Sequence, residues 1–191
     1  MKDGYLKVQA DKETDEELMI AYASGNEGSF GKLYKRYEAR LYGFLFSRLS
    51  PKLRNLASDV FQKTWLNVHN GRKGFDPSKK FSTWIFTIAI NALRDQISLK
   101  EERAPIDALD ESLPLASESN QEKEFEREEL KQKLRKKIDD LPPMQREAVL
   151  LYELEGFSSA EVAGIMKLSD GAIRQLLFRA RSTIKQKWRE K

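Results

Sequence analysis

Apolar residues recur at three- and four-residue steps along most of this 191-residue chain, and no segment shows the two-residue alternation of a strand. This spacing places the apolar side chains on one face of an α-helix. The longest such stretch, about Gly28 to Leu49, carries Phe30, Leu33, Tyr34, Tyr37, Leu41, Phe44, Leu45 and Leu49 on its shared face. With 40% hydrophobic and 34% charged residues, such helices have one buried stripe and one solvated face. The sequence therefore predicts an all-α fold.

The remaining helices are bounded by capping residues, Gly and Pro. The first group begins with a short helix that has a Thr14–Glu17 capping box and ends at Ser24-Gly25-Asn26, followed by the helix Gly28–Leu49. A helix from about Leu53 to Asn70, a loop at Gly71–Lys80 and a helix from near Ser82 complete this group. The second group consists of a helix ended by Leu141-Pro142-Pro143, a helix at Met144–Glu155, and a final pair of helices. These elements fall into two groups separated in the sequence.

The stretch between the two groups is acidic and contains proline and serine. Pro105 to Ser119 shows no sustained period, and Asp107 to Glu129 holds nine acidic and two basic residues, a net charge of −7. By contrast, Gly171 to Lys191 carries a net charge of +6. We expect two small helical domains, residues 14–101 and 129–191, joined by a flexible acidic linker at residues 102–128.

The final pair of helices has the pattern of a helix-turn-helix. Ser158 and Glu161 form a capping box, Leu168 lies in a short turn, and Ser169 caps the second helix. A turn this short forces the two helices to cross steeply, which is the geometry of DNA-binding helix-turn-helix motifs.

The second helix of the pair predicts contact with duplex DNA. Its outward positions are Gly171, Arg174, Gln175, Phe178 and Arg181, with Arg179 at the border. Arginine can bind guanine through two hydrogen bonds, glutamine can pair with adenine, and an aromatic edge can contact a thymine methyl group. The competing interpretation is a solvated basic helix, which leaves the short turn and the capping residues without a role.

A second nucleic-acid site is predicted in the first group of helices. The loop from Arg72 to Lys80 is basic and leads directly into Phe81 and Trp84. Cations beside aromatic rings are the ingredients of a platform for single-stranded nucleic acid. Trp84 also lies on the apolar stripe, so a place in the core competes with this role.

Several classes of protein and site are excluded by composition. The chain has no cysteine and one histidine, His69, which excludes disulfides and Cys/His zinc sites. Asp139 and Asp140 are adjacent on a helix and point in two directions, so they do not form a carboxylate cluster for metal catalysis. We expect no catalytic residue, metal, cofactor or small-molecule substrate. The N-terminus lacks an apolar signal segment and no apolar run reaches membrane-spanning length, so we expect a cytoplasmic protein without membrane insertion.

Two sets of motifs resemble the sigma-70 family of transcription initiation factors, and the small extracytoplasmic-function (ECF) group fits best. Region two of the family is matched by Phe30, Leu33-Tyr34, Arg36-Tyr37, Asp59-Val60-Phe61-Gln62, Trp65, Phe81-Ser82-Thr83-Trp84-Ile85-Phe86, Ile88-Ala89 and Asn91. Region four is matched by Leu141-Pro142-Pro143-Met144-Gln145-Arg146-Glu147, Leu154-Glu155-Gly156-Phe157-Ser158, Glu161-Val162-Ala163, Gly171-Ala172-Ile173-Arg174 and Phe178-Arg179-Ala180-Arg181. Both sets occur in the expected order and spacing.

The resemblance implies core RNA polymerase and promoter DNA as partners, with an anti-sigma factor as a further candidate partner. It implies three groups of site residues: Ser169, Arg174, Gln175, Phe178, Arg179 and Arg181 for the −35 duplex; Lys79, Lys80, Trp84 and Asn91 for the single-stranded −10 element; and Asp59, Gln62, Lys63 and Asn67 for polymerase. Two departures are notable. Lys63 stands where the family usually has an acid, and Gln175-Leu176 stands where many members have Ser-Arg.

Three other functions remain open at this point. A helix-turn-helix regulator outside the polymerase would need neither the basic aromatic loop nor a polymerase-facing helix. An enzyme acting on nucleic acid would need clustered carboxylates or a nucleophile with a base. A decoy that binds polymerase without DNA would have no use for the outward Arg174 and Arg181.

Overall fold

The computed structural model describes residues 13–103 and 132–189, and all regular secondary structure in these ranges is helical. The helices are α1 (Asp15–Ala23), α2 (Glu27–Arg48), α3 (Ala57–Gly71), α4 (Phe81–Arg103), α5 (132–139), α6 (Pro143–Val149), α7 (Ser159–Met166) and α8 (Asp170–Arg189). The prediction of an all-α fold is confirmed. We call residues 13–103 the N-terminal segment and residues 132–189 the C-terminal segment.

Two predicted helices differ in detail from the observed ones. The helix predicted from Leu53 begins as a 3-10 turn at Pro51–Leu56 and becomes α-helical only at Ala57. Proline suits the first position of a helical turn because its missing N–H would have no partner there. The helix predicted at Met144–Glu155 is α-helical to Val149 and ends in a wider π turn at Leu150–Leu154.

The N-terminal segment packs α1 to α4 around a core of aliphatic and aromatic side chains. Leu18, Leu33, Leu41, Leu45, Phe81, Phe86 and Leu93 are fully buried there. The Tyr37 hydroxyl on α2 donates to Asp15 Oδ2 on α1 at 2.6 Å. The Phe81 N–H at the start of α4 donates to Glu16 Oε1 at 2.8 Å. Helix α1 therefore fixes the positions of α2 and of the first turn of α4.

The C-terminal segment contains a buried arginine that holds the end of α5. The Arg146 guanidinium donates to the backbone oxygens of Ile138, Asp139 and Leu141, where the last carbonyls of a helix lack partners. Burial lowers the pKa of Arg146 from its ordinary value. A guanidinium has five N–H donors in one rigid plane, which suits binding several carbonyls at once, a task that a lysine could not perform.

The two segments are in contact. Helix α4 packs against α7, and α2 packs against α6 and the π turn. The rings of Phe86 on α4 and Phe157, just before α7, meet edge to face with centroids 5.2 Å apart. Most of the predicted linker at residues 102–128 lies outside the described residues, so the division into two domains stays a prediction.

Two negative findings apply to the described ranges. No helix there is both long and apolar enough to cross a membrane. No group of three or more His, Cys, Asp or Glu side chains there could hold a metal ion.

Candidate nucleic-acid interface

The helix-turn-helix is present and its capping residues act as predicted. The Ser158 hydroxyl accepts from the Glu161 N–H, and the Glu161 carboxylate accepts from the Ser158 N–H at 2.8 Å. At the other end of α7, Lys167 adopts a left-handed conformation with φ 58°. The Ser169 hydroxyl then accepts from the Ala172 N–H at 3.2 Å and caps α8. Three local hydrogen bonds and one left-handed residue thus fix the angle between α7 and α8.

The side chains predicted to contact the −35 duplex all lie on the solvent side of α8. Ile173, Leu177 and Ala180 are buried on the opposite face. Ser169, Arg174, Gln175, Phe178, Arg179 and Arg181 are exposed, and Phe178 is 69% exposed. A phenyl ring this exposed on an otherwise charged face has no role in the core of the protein.

Two of the cations on this face already have acidic partners. Arg174 pairs with Asp170 one turn earlier on α8, and Arg181 pairs with Glu153 at 2.6 Å. Hydrogen bonding to Glu153 raises the pKa of Arg181. Exposed pairs of this kind are screened by water and contribute little, whereas a bidentate contact with a base is worth about 1–3 kcal/mol. DNA can therefore displace these partners.

The basic loop before α4 has an ordered turn at its centre. Asp76 Oδ1 accepts from the Ser78 N–H at 3.0 Å and from the Ser78 hydroxyl at 2.7 Å. These two hydrogen bonds lower the pKa of Asp76. Lys79 lies 3.6 Å from Asp76 and its side chain is 73% exposed. The turn presents Lys79 and Lys80 to solvent immediately before α4 begins.

Trp84 lies between core and surface, and its role in binding a single strand stays a prediction. Its ring is half-buried and packs against Phe75, with centroids 5.2 Å apart, and against Phe81. A Cβ atom at Gly71 would lie 3.5 Å from the ring. Asn91 is also half-buried and lies two helical turns along α4 from Trp84, so the two side chains share one face.

The structure links the loop to the helix-turn-helix in a way that sequence reasoning missed. Lys80 Nζ lies 2.7 Å from Glu161 Oε1, and Glu161 belongs to the capping box of α7. The hydrogen bond from Lys80, followed by those from Ser158, lowers the pKa of Glu161 to about 2. One of the four residues predicted to hold single-stranded DNA is thus occupied by the C-terminal segment.

The face of α3 predicted to contact polymerase is accessible. Asp59, Gln62 and Lys63 are exposed and Asn67 is half-exposed. Leu66, which sequence reasoning missed, lies among them and is 50% exposed. The sequence itself indicates this exposed position, because Leu66 is a large apolar residue outside the inward stripe of this helix.

A buried cluster of charges was also missed. Glu147 on α6 is fully buried, and its carboxylate accepts from Arg48 on α2 at 2.7 Å and from Arg94 on α4 at 2.8 Å. Arg48 is only 8% exposed. Its place on the stripe that carries Phe44 and Leu45 indicated burial, but nothing local indicated its partner.

Comparison with known proteins agrees with this geometry. The profile "Sigma-70 region 2" matches residues 33–102, and the profile "Sigma-70, region 4" matches residues 131–184. The ECF RNA polymerase sigma-E factor of Escherichia coli strain K12 is 32% identical over 182 residues, which cover 91% of this chain and 94% of that protein. The chain belongs to the ECF sigma factors of the sigma-70 family.

Solved structures support the fold of this ECF sigma factor. CnrH, in complex with the cytosolic domain of CnrY, has a TM-score of 0.66 at 25% identity and covers 91% of this chain and 96% of its own. The sigma factor RpoE of Bartonella quintana, in complex with the anti-sigma factor NepR, has a TM-score of 0.65 at 21% identity. The match covers 82% of this chain and 94% of the Bartonella chain.

The predicted resemblance and the predicted function are confirmed. This ECF sigma factor directs transcription initiation by RNA polymerase, and its family is not an enzyme family. The alternative of a regulator that acts outside the polymerase is set aside.

Proposed function

We propose that this sigma factor reads the −35 duplex with the outward face of α8, holds the −10 single strand at the start of α4, and docks on core polymerase through α3. The observation that carries the proposal is the 69% exposed Phe178 among guanidinium groups on a helix fixed by a helix-turn-helix. An exposed ring with cations around it suits the floor of a major groove, where thymine methyl groups and phosphates lie close together.

On α8, the proposed roles follow from position. Arg174 and Gln175 lie in the first turns of the helix, the part that enters the groove deepest in this motif, and they contact base edges. Phe178 contacts a thymine methyl group. Ser169 at the cap of α8, Arg179 at the border of the face and the outward Arg181 farther along the helix contact phosphates, which fix the register of the helix without reading sequence.

At the start of α4, Lys79 and Lys80 follow the phosphates of the unpaired strand. Trp84 supports a stacked base with the part of its ring that is accessible, and Asn91 offers an amide to a base edge. Each stacking or edge contact of this kind is worth about 1–3 kcal/mol. Trp84 and Asn91 share a face of α4, so one strand can reach both.

On α3, the apolar Leu66 surrounded by Asp59, Gln62, Lys63 and Asn67 has the composition of a protein interface, an apolar centre with a polar rim. We assign this face to core polymerase. The complexes of CnrH with CnrY and of the Bartonella RpoE with NepR support an anti-sigma factor as a further partner. The factor acts in the cytoplasm, where the polymerase and its promoters lie, and catalyses no reaction of its own.

The test is run-off transcription with core polymerase on a promoter library. Product that depends on this chain is expected, and Arg174→Ala should change which −35 sequences are used. Asn91→Ala should lower promoter melting, measured by permanganate footprinting, while leaving binding to a −35 duplex intact, because the amide contacts only unpaired bases.

Glu38→Ala is the matched control, since Glu38 is exposed on α2 and is not among the residues assigned to DNA or polymerase. If Asn91→Ala melts the promoter as well as this control does, the −10 site is misplaced. If no core polymerase makes product with the wild-type chain, the proposal fails as a whole.

A further inference from the structure

We infer that Asp170, the first residue of α8, also reads a base of the −35 duplex. Its carboxylate accepts a hydrogen bond from the exocyclic amino group of a cytosine or an adenine, at or next to the base pair that Arg174 contacts. The sequence alone does not indicate this role, because an acid in the first turn of a helix also has a structural explanation. The inference rests on the proposed assignment of α8 to the −35 element.

Asp170 stands at the head of the stripe of α8 that carries the proposed reading residues. Residues four positions apart lie one above the other on a helix, so Asp170, Arg174 and Phe178 follow one another along one face. The side chain of Asp170 is 32% exposed, so it is accessible from this face. In a helix-turn-helix, the N-terminal residues of the second helix contact base edges. Asp170 therefore lies on the part of α8 that enters the groove first.

A negative charge at this place is unfavourable for binding DNA in general, because phosphates repel it. Asp170 is not needed as the cap of α8, since the Ser169 hydroxyl already accepts from the Ala172 N–H at 3.2 Å. An unfavourable charge on a binding surface is expected where it discriminates between partners. We therefore looked for a DNA group that an acid would select.

The ion pair of Asp170 and Arg174 matches the groups that a base pair presents in the major groove. Arg174 Nη2 donates to Asp170 Oδ2. Guanine offers two acceptors to an arginine, whereas cytosine and adenine each offer an amino donor to a carboxylate. Exchanging Asp170 for guanine leaves the carboxylate in the groove without its partner, and a desolvated carboxylate without a donor is unfavourable. The complex is favoured where an amino group takes the place of Arg174.

The carboxylate of Asp170 is also held from the neighbouring helix. Ser159, the first residue of α7, donates to it, and this bond, followed by that from Arg174, lowers the pKa of Asp170. An ionised carboxylate only accepts hydrogen bonds. It therefore binds an amino group and repels the carbonyl oxygens that thymine and guanine place in the groove. Asp170 thus selects cytosine or adenine over thymine or guanine.

The alternative is that Asp170 acts only on the end of the helix. An acid in the first turn stabilises a helix through the partial positive charge of the N-terminal N–H groups. That effect is the same whatever the DNA sequence. A structural role therefore changes the affinity for all duplexes by one factor, whereas a reading role changes the ratio of affinities between duplexes.

The first test uses the full-length chain bound to core polymerase and promoter duplexes that differ by one base pair within the −35 element. Competition binding, followed by fluorescence anisotropy, gives the affinity ratios. Asp170→Ala should lower the preference for cytosine or adenine at one position by about fivefold or more. Asp170→Glu keeps the carboxylate and should keep the preference. Unchanged ratios at every position in Asp170→Ala overturn the inference.

Glu153→Gln is the matched control for charge. Glu153 pairs with Arg181 at 2.6 Å and lies in the π turn, outside α8. Both Glu153→Gln and Asp170→Ala remove one negative charge that faces DNA, which affects all duplexes alike and depends on salt. Only Asp170→Ala should change the ratios between duplexes. Equal changes of these ratios in both variants contradict a specific contact of Asp170.

A second test removes the amino N–H from the DNA and leaves the protein unchanged. N4-methylcytosine and N6-methyladenine keep Watson–Crick pairing and carry a methyl group where the groove-facing N–H would be. At the position found by the first test, methylation should weaken binding of wild type by about fivefold or more and leave binding of Asp170→Ala unchanged. The base that shows this effect identifies the source of the amino group. Equal weakening of both proteins overturns the inference.

Arg174→Ala, measured on the same duplexes, separates this inference from the proposed function. If Arg174→Ala changes no base preference, the assignment of α8 to the −35 element is wrong. If Arg174→Ala changes a preference and Asp170→Ala does not, only the role of Asp170 is wrong. Ratios between duplexes are measured on one protein at a time, so partial unfolding of a variant does not alter them.

Discussion

Arg174 illustrates how a side chain can be ready for DNA before DNA is present. Its pairing with Asp170 on the same helix holds the guanidinium along the exposed face of α8. Hydrogen bonds from Ser159 and then from Arg174 lower the pKa of Asp170, so this carboxylate stays charged under ordinary conditions. Because the pair is exposed, water screens it, and exchanging the carboxylate for guanine costs little.

We expect Arg174→Ala to weaken binding to the preferred −35 duplex by about 1–3 kcal/mol and to relax the preference for one base pair. The loss should be confined to that position, since the other contacts of α8 remain. The measurement is a set of binding titrations on duplexes that vary one base pair at a time.

Lys185→Ala is the control for charge, because Lys185 is exposed on the same helix beyond the reading positions. It should weaken all duplexes alike or not at all, and any effect should diminish with added salt. A uniform loss in Arg174→Ala, of the kind expected of a phosphate contact, would contradict its assignment to a base.

At the scale of elements, the turn between α7 and α8 contains one residue with a left-handed backbone. Lys167 is the non-glycine residue with positive φ among those described, at 58°. A side chain in this region costs about 1–2 kcal/mol relative to the right-handed one. The chain tolerates this cost and keeps a cation beside the start of the recognition helix.

Lys167→Gly should therefore stabilise the protein, by about 1 kcal/mol or less because glycine also loses more backbone entropy on folding. Lys167→Ala removes the same charge but keeps the strained Cβ, so it should not stabilise. Urea unfolding of the three proteins gives the comparison. Equal stability of the glycine and alanine variants would show that φ at this turn is not strained.

The elements that sequence reasoning located well are those whose determinants are local. The Thr14 and Ser158 capping boxes, the end of the second helix near Leu49 and the outward face of α8 each depend on residues within a few positions, and each is present. Trp84 and Asn91 share a face of α4 because seven residues span two helical turns.

What sequence reasoning missed depends on residues distant in the chain. Arg48 and Glu147 are 99 positions apart, and only packing between the segments brings them together. A single sequence offers no signal for such a partner, although a charge on an apolar stripe indicates that one exists. The same limit applies to Lys80 and Glu161, whose roles in a basic loop and a capping box were each recognised separately.

At the scale of the whole molecule, Glu161 takes part both in the capping box of α7 and in the contact between the two segments. Its pKa is about 2, against an ordinary value of 4.5, because Lys80 and Ser158 stabilise the charged form. A carboxyl group whose pKa is lowered in the folded protein contributes stability at pH values above its ordinary pKa. This contribution is lost as the pH falls toward the lowered pKa.

We expect Glu161→Gln to be less stable than wild type near pH 6, and the difference to narrow as pH falls below about 4. Glutamine can still accept in the capping box, so the variant removes the charge and keeps the cap. Unfolding by urea at several pH values tests this. If the difference in unfolding free energy between the two proteins does not change with pH, the charge of Glu161 does not contribute to stability.

The joining of the segments by contacts within one polypeptide also has a consequence for gene dosage. A separate inhibitor protein is titrated away when more of its target is made, but both halves of this interface are always supplied together. The local concentration of one half around the other is set by their covalent connection and not by the amount of protein. Raising expression therefore leaves the fraction of molecules with joined segments unchanged. A threshold in the response of output to synthesis is instead the property of a separate inhibitor, such as the proposed anti-sigma factor.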